Sequence, residues 1–401
     1  MIDAKIGLRN LGRNRRRTLL TGSLISFGVL CLIVFQALKV GMHNQMILST
    51  TSLDSGILQI HAPEYRNNRT GLQPLAQPDQ LVAKLTGHHI AFSARLKTAA
   101  LILAGPQSSM LSISGVHPDH ERQITQIAAN LVEGTYLQSA ETIVLSRSLA
   151  QAMSLAVGDQ VTVMAQDSGG QPALIPLRIQ GLYDTGLPSF DNTHAYVTLD
   201  TMQHLLKADN VITEIAIHST LNAQSQAESQ LHELLDERYV ITRWQQNLPD
   251  LVQLIELNDT TMSILIVIVF SLVGMGILNT MTMVTYERFQ EFGLLSAMGY
   301  PPAGVLRMVL YEALFLGVGS AIVGSFVASL ICIWLSQHGL DLSQFTSSNP
   351  YFTNAHILYP QTRLIDVVSA AAVACLTCVI SSVFPAWKVS HLDPVEALRH
   401  Q

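Results

Sequence analysis

The sequence predicts a membrane α-helical protein with four transmembrane helices and a large extracytoplasmic α+β domain between the first and the second. Four uncharged apolar stretches, roughly Thr18 to Leu38, Thr261 to Met283, Ala313 to Leu335 and Val367 to Trp387, are the first observation. Each reaches the ~20 residues that a helix needs to cross ~30 Å of hydrocarbon. The second is the polar segment from about Val40 to Asn258, which contains no such stretch. Composition is the third: 48% of the 401 residues are hydrophobic and 13% charged, against ~25% charged in soluble domains. The bilayer enforces this, because an ionised group at helix centre costs roughly 2.5 to 3.5 kcal/mol. A net charge of -6 then says little about partners and gives no basis for nucleic-acid binding.

Arginines set the expected orientation. Lys5, Arg9, Arg13, Arg15, Arg16 and Arg17 crowd the approach to the first stretch and only Lys39 follows it, and basic residues near short spans stay cytoplasmic. The expected order is residues 1–17 inside, span 18–38, an external domain 39–258, span 259–285 and a cytoplasmic segment 286–304. Span 305–336, an external loop 337–366, span 367–387 and a cytoplasmic tail 388–401 complete it. A cleaved signal peptide is the competing reading of the first stretch, but no small-x-small cleavage site follows in Gln36 to Gln45.

In the external domain, Gly56 to Ala62 alternates as a strand, Asp79 to Leu85 reads as a helix after Pro78, and His89 to Met110 offers two strands. Short strands follow at Thr142 to Leu145, Val161 to Met164, Ile175 to Ile179 and Ala195 to Leu199, with Gly158, Gly169, Gly170, Gly181 and Gly186 between them. A β-rich insert, 136–207, is thus expected inside an α/β part, 39–135 and 208–258. Val211 to Ile217 then reads as a strand, Ala223 to Arg238 as a helix and Tyr239 to Thr242 as a strand. From Asn247 to Asp259 apolar residues recur at Leu248, Leu251, Val252, Ile255 and Leu257. This pattern suits either a stalk continuing the second span or an amphipathic helix resting on the domain.

All four cysteines, Cys31, Cys332, Cys375 and Cys378, lie in the spans, so the external domain has no disulfide framework. Cys375 and Cys378 have CxxC spacing, but with no second pair in an apolar helix they read as packing residues. Small residues line the third span at Gly317, Ser320 and Gly324 and the second at Ser271 and Gly274. Such strips let helices approach closely, within or between subunits. Catalysis finds little support. Span interiors carry no Asp, Glu or His, Glu312 and Asp366 sit at span ends, and the 14 histidines form no HExxH or His-Cys cluster, so no metal is expected. A plain membrane anchor is the bland alternative. The stretch Tyr286 to Pro302 argues against it: charges cluster at its start, apolar residues at its end, and Gly299 with Pro301 and Pro302 stops a short helix there. That helix is an interfacial anchor or a docking element for a soluble partner.

Glu287-Arg288 with Glu291, Gly293, Ala297 and Gly299, followed by Glu312, resembles the coupling pattern of permeases of the MacB/FtsX superfamily. Three further segments are similar to that family in order: Ile6 to Leu11 with Arg15 to Leu20, Leu155 to Val163 with Ile179 to Asp184, and the ending Leu392 to Arg399. Length, external-domain size and the strand at Gly56 to Ala62 look most like the lipoprotein-releasing LolC/LolE group. The resemblance implies a type VII ABC transporter permease of the bacterial inner membrane, with both termini cytoplasmic, an elbow helix in residues 1–17 and a periplasmic external domain. No GxxxxGK[ST] loop is present, so ATP and Mg are expected on a separate cytoplasmic ATPase dimer. A second permease subunit, identical or related, and a periplasmic carrier or adaptor are further implied partners.

The resemblance places ATPase coupling on Glu287, Arg288 and Glu291 as a polar face, with Phe292, Leu295 and Met298 filling an apolar groove and Gly293 and Gly299 completing the motif. Ser296 departs from the common pattern. Extraction of lipoprotein or another amphipathic substrate from membrane lipid would use an apolar cavity lined by Phe35, Leu38, Val40, Met42, Leu254, Leu257, Met262 and Ile266. The alternative is a mechanotransmission subunit that drives efflux of periplasmic small molecules or activates a periplasmic partner. Orientation is tested with single cysteines in a background lacking the native four. Cysteine at Ser168 should react with an impermeant thiol reagent added outside and cysteine at Gln290 should not; labelling of Gln290 from outside would reverse the topology.

Overall fold

The computed structural model describes residues 7, 9, 12, 13, 15–63, 65, 72–341 and 357–391. Most of the expected elbow helix, the middle of the 337–366 loop and the family-like ending Leu392 to Arg399 lie outside the described residues. The chain begins with α1 (Arg15–Thr51), β1 (Leu58–His61), α2 (Pro78–Gly87), β2 (Phe92–Ala104), β3 (Gln107–Val116), α3 (Pro118–Ile124) and β4 (Leu131–Gly134). Next come β5 (Thr142–Ser146), α4 (Arg147–Ala152), β6 (Gln160–Gln166), β7 (Pro172–Tyr183), α5 (Pro188–Asp191), β8 (His194–Thr198) and α6 (Leu199–Leu206). It continues through β9 (Glu214–Ile217), α7 (Gln224–Leu234), β10 (Val240–Arg243), α8 (Trp244–Asn247), α9 (Pro249–Glu287) and α10 (Phe289–Ala297). The last elements are α11 (Pro302–His338), β11 (Leu340–Asp341), β12 (Ile357–Leu358) and α12 (Leu364–Ser390).

Two compact units result: a membrane unit of residues 1–43, 254–341 and 357–401, and a sheet unit of residues 44–253 and 342–356. Helices α1, α9, α11 and α12 are long and apolar enough to cross a membrane. At 39 residues α9 is ~58 Å long at 1.5 Å per residue, well beyond the hydrocarbon thickness. The segment expected as either stalk or separate amphipathic helix is one helix with the second span from Pro249 onward.

Small residues decide how the membrane unit packs. A Cβ on Gly324 of α11 would stand 2.5 Å from the Ser26 carbonyl of α1, and one on Gly317 would stand 3.1 Å from Cys378 Sγ of α12. Ser26 Oγ donates to the Ser320 carbonyl at 2.9 Å. The third-span strip is therefore used inside the chain, between α1, α11 and α12. Gly274 likewise faces Ser381 and Thr377, whereas exposed Ser271 returns its hydroxyl to Val267 of its own helix. Around these contacts Ile25, Val29, Ile277, Ala313, Ala370 and Ala374 form the core. Cys332 and Cys378 are fully buried there and all four cysteines are free thiols.

The sheet unit is built on one mixed sheet, in the order β10-β1-β9-β2-β3-β8-β5-β7-β4, with β6 pairing β2 and β7. β3 with β8 and β5 with β7 run parallel. The expected division at 136 and 207 is not a division of the sheet, because strands of the insert pair directly with β2 and β3. Leu96, Ile113, Leu145, Val163, Leu177 and Val197 alternate inward to form its main core, as period-two burial requires. Gly115 lets α6 lie against β3, since any side chain there would overlap Met202.

One charged group is enclosed in this unit. Arg95 of β2 is 0% exposed; its Nε and Nη2 donate to Glu121 Oε2 and Oε1 at 3.0 and 2.8 Å, a bidentate pair, and Glu121 is also 0% exposed. Nη1 donates to Glu214 Oε1 at 3.3 Å and to the Asp54 carbonyl just beyond α1. Removing one partner of a buried pair strands the other charge at a cost of about 3 to 5 kcal/mol. Glu121→Leu should thus lower stability by about that amount, and Arg95→Met with Glu121→Leu should lose less than Glu121→Leu alone. Denaturation followed by β-sheet ellipticity checks this; equal stability of Glu121→Leu and wild type would remove Arg95 as the organising contact.

Candidate functional site

Within the membrane unit, α9 ends at Glu287 and Arg288 turns the chain at φ -104, ψ 16 into α10. Gly299, at φ 83, ends α10 with its N–H on the Ser296 carbonyl at 3.0 Å, and extended Pro301 then precedes α11, which starts at Pro302. Such a φ favours glycine, the residue without a Cβ penalty. A short helix is thereby held between two long ones.

Its charges are closed into ion pairs with the same chain. Arg17 of α1 grips Glu287 through both guanidinium nitrogens, at 2.6 and 2.5 Å, the bidentate geometry that suits a carboxylate. Arg13 reaches Glu291 at 2.5 Å. Arg288 bridges Glu291 at 3.0 Å and Glu312 of α11 at 3.1 Å, and its guanidinium lies 5.0 Å over the Phe292 ring. Partial burial opposes ionisation of Glu291, but hydrogen bonds from Arg288 and Arg13 outweigh it and hold the carboxyl below its ordinary range.

These contacts sort the expected coupling residues. Glu287, Arg288 and Glu291 are joined and engaged internally. Phe292, expected to enter a partner's groove, is instead 2% exposed and packs with Val305, Met308, Val309, Ala386 and Val389. Gly293 is buried and Leu295 packs half-buried on that cluster, while Met298 and Gly299 are exposed. Leu294, at 54% exposed, joins Met298 as the second large apolar residue that α10 leaves uncovered. Sequence reasoning passed over Leu294 because it lies between two residues of the motif. It also read Arg13 and Arg17 only as topology signals, since pairing across some 270 positions leaves no local trace.

The expected cavity residues separate as well. Phe35 and Leu257 are exposed, Val40 is buried, and Leu38, Met42, Leu254, Met262 and Ile266 are half-buried, Ile266 packing on the membrane core. Lys39 Nζ of α1 stands 3.1 Å from Asp259 Oδ1 of α9, with His43 Nδ1 at 3.9 Å. An ion pair therefore joins these helices beside the apolar positions. Among the described residues no group of three His, Cys, Asp or Glu side chains could hold a metal ion.

Comparison with known proteins gives two matching family models: a MacB-like periplasmic core domain over residues 18–234 and an FtsX-like permease C-terminal domain over residues 263–394. The chain is 23% identical over 332 residues to a lipoprotein-releasing system transmembrane protein LolC of Xylella fastidiosa, covering 79% of each chain. LolC of Neisseria meningitidis is 20% identical across 100% of this chain and 99% of its own length. A macrolide export ATP-binding/permease protein MacB of Vibrio parahaemolyticus is 25% identical across 99% of this chain but only 60% of its own length.

Proposed function

We propose that this chain, which belongs to the MacB/FtsX superfamily of permeases, couples ATP hydrolysis on a separate cytoplasmic ATPase dimer to movement of its sheet unit. Its cargo in this reading is a lipoprotein or another amphipathic molecule taken from the inner membrane. Relatives named for lipoprotein release support that choice, because this chain spans 79% to 99% of their length. ATP and its Mg would sit on the ATPase, a second permease subunit would complete the membrane assembly, and a periplasmic carrier or adaptor would receive the cargo.

The arrangement of α10 carries the reading. Its Glu291, with Glu287 and Arg288 at the turn before it, pairs with Arg13, Arg17 and Glu312, which ties the helix to α1 and α11. Leu294 and Met298, 54% and 69% exposed, are left for a partner's apolar groove. A helix fastened on one side and apolar on the other transmits a push from below to the spans it is tied to. No group of this chain is assigned a catalytic step.

Purification of the tagged chain from its native membranes tests the assignment. ATP-hydrolysing activity should copurify, and Leu294→Arg or Met298→Arg should lower it by about tenfold or more, as expected for a desolvated anchor, with membrane insertion unchanged. Photocrosslinkers at Phe35 and Leu257 should capture an acylated molecule in the same cells. Full copurification of activity with both arginine variants would overturn the docking role; capture of soluble proteins alone would overturn the cargo.

A further inference from the structure

Helices α1 and α11 touch at Ser26 and Gly324, and alongside this contact a groove of about 520 Å³ runs between them in the membrane unit. Small residues line it, Gly22, Ser26 and Gly319 among them, between the larger Leu19, Phe27 and Phe315. Ser23 and Ser26 turn their hydroxyls onto the Leu20 and Ser320 carbonyls, each at 2.9 Å, and the surface left to the groove is almost wholly apolar. Its occupant is therefore hydrocarbon over most of its length. From Thr18 to Leu30 the groove follows α1 for about 18 Å at ~1.5 Å per residue, close to one leaflet of a ~30 Å hydrocarbon core.

Charge marks the Thr18 end. Arg15 precedes Leu19 and Gly22 by four and seven residues, and Arg16 precedes Leu19 and Ser23 by three and seven, spacings that share one face of a helix. Both arginines are exposed, and among the described residues no ion pair holds either of them. Their neighbours are committed elsewhere: Arg17 faces Glu287 and Arg13 takes Glu291. On α11 the ring of Tyr311, one turn before Phe315 and stacked on it at 6.4 Å, is 38% exposed at the same end. Tyrosines with one apolar and one wet end sit at headgroup level, and basic residues beside a groove between spans attract anionic headgroups.

We infer that this groove holds one anionic phospholipid of the leaflet at the Arg15 end, the cytoplasmic leaflet in the proposed orientation. Its phosphate lies on Arg15 and Arg16, and one acyl chain runs past Gly22 and Gly319 toward Leu30. A zwitterionic headgroup brings a cation of its own, which the two arginines repel. The site is separate from the expected cargo positions, since Phe35 lies on α1 beyond the end of the groove at Leu30. It needs neither the ATPase nor the cargo assignment.

Native mass spectrometry of the purified full-length chain tests this with phosphatidylglycerol and phosphatidylcholine of identical acyl chains. One phosphatidylglycerol should bind about tenfold or more tightly than phosphatidylcholine, the discrimination that two basic residues near a headgroup supply. Arg15→Gln combined with Arg16→Gln should remove that preference. Gly319→Leu places a side chain in the groove, at a position where a Cβ meets no neighbouring element within 4 Å and packing of the helices is undisturbed. It should weaken both lipids by about tenfold. Equal affinity for the two lipids, a preference that survives the double arginine variant, or phosphatidylglycerol binding indifferent to Gly319→Leu would each overturn the assignment. So would a dimer of this chain that carries no lipid and is lost in Gly319→Leu, which would give the groove to a second copy.

Discussion

Arg95 has no access to solvent, and the sheet unit is arranged around keeping it paired. Burial works against its charged form, but Glu121, Asp54 and Glu214 more than offset this and hold its pKa above the ordinary arginine value. Each partner comes from a different place: Glu121 from α3, Glu214 from β9 and Asp54 from the turn that follows α1. A planar guanidinium reaches all three in one fixed geometry, which a lysine could not do. Displacing the end of α1 relative to β2 would break the contact to the Asp54 carbonyl. Arg95 would keep its bidentate pair with Glu121, but Nη1 would lose a buried acceptor, and that loss resists the displacement.

The same rule works at the α9–α10 turn with more exposed groups. Arg13, Arg17 and Arg288 meet Glu287, Glu291 and Glu312, three cations against three anions. Only Arg288 with Glu312 is well enclosed; the outer pairs are reachable by water, and exposed pairs are individually weak. Firm anchoring at Glu312 and looser attachment at Arg13 suit a helix that must stay on its own chain while answering to a partner. Close packing through Gly317 and Gly324 keeps α1, α11 and α12 from yielding separately.

Much of this was legible in the sequence. The four spans were fixed by length and lack of charge, and the strands from β5 to β8 by alternation between glycines. Helices α4 and α6 were not anticipated, because Arg147 to Ala152 and Leu199 to Leu206 are short and each is capped by a residue, Ser146 or Thr198, that closes the preceding strand. Joining of the insert to the larger sheet also escaped notice, since β3 with β8 is a pairing between distant segments. At the candidate site the motif marked a short helix, which forms as α10, but not which of its side chains are buried. Burial of Phe292 and exposure of Leu294 depend on where α11 and α12 lie, information that hydrophobicity alone does not contain.

The proposed coupling requires α1, a single helix from Arg15 to Thr51, to carry a push received at the Arg17–Glu287 pair to the contacts around Asp54. Amide hydrogen exchange over residues 46–54, with and without ATP in the complex with the ATPase, measures this directly. Protection should change on ATP addition in wild type, be lost in Arg17→Glu and in Glu287→Arg, and return when the two substitutions are combined. An ATP-dependent change that survives in either single variant would contradict transmission through this pair.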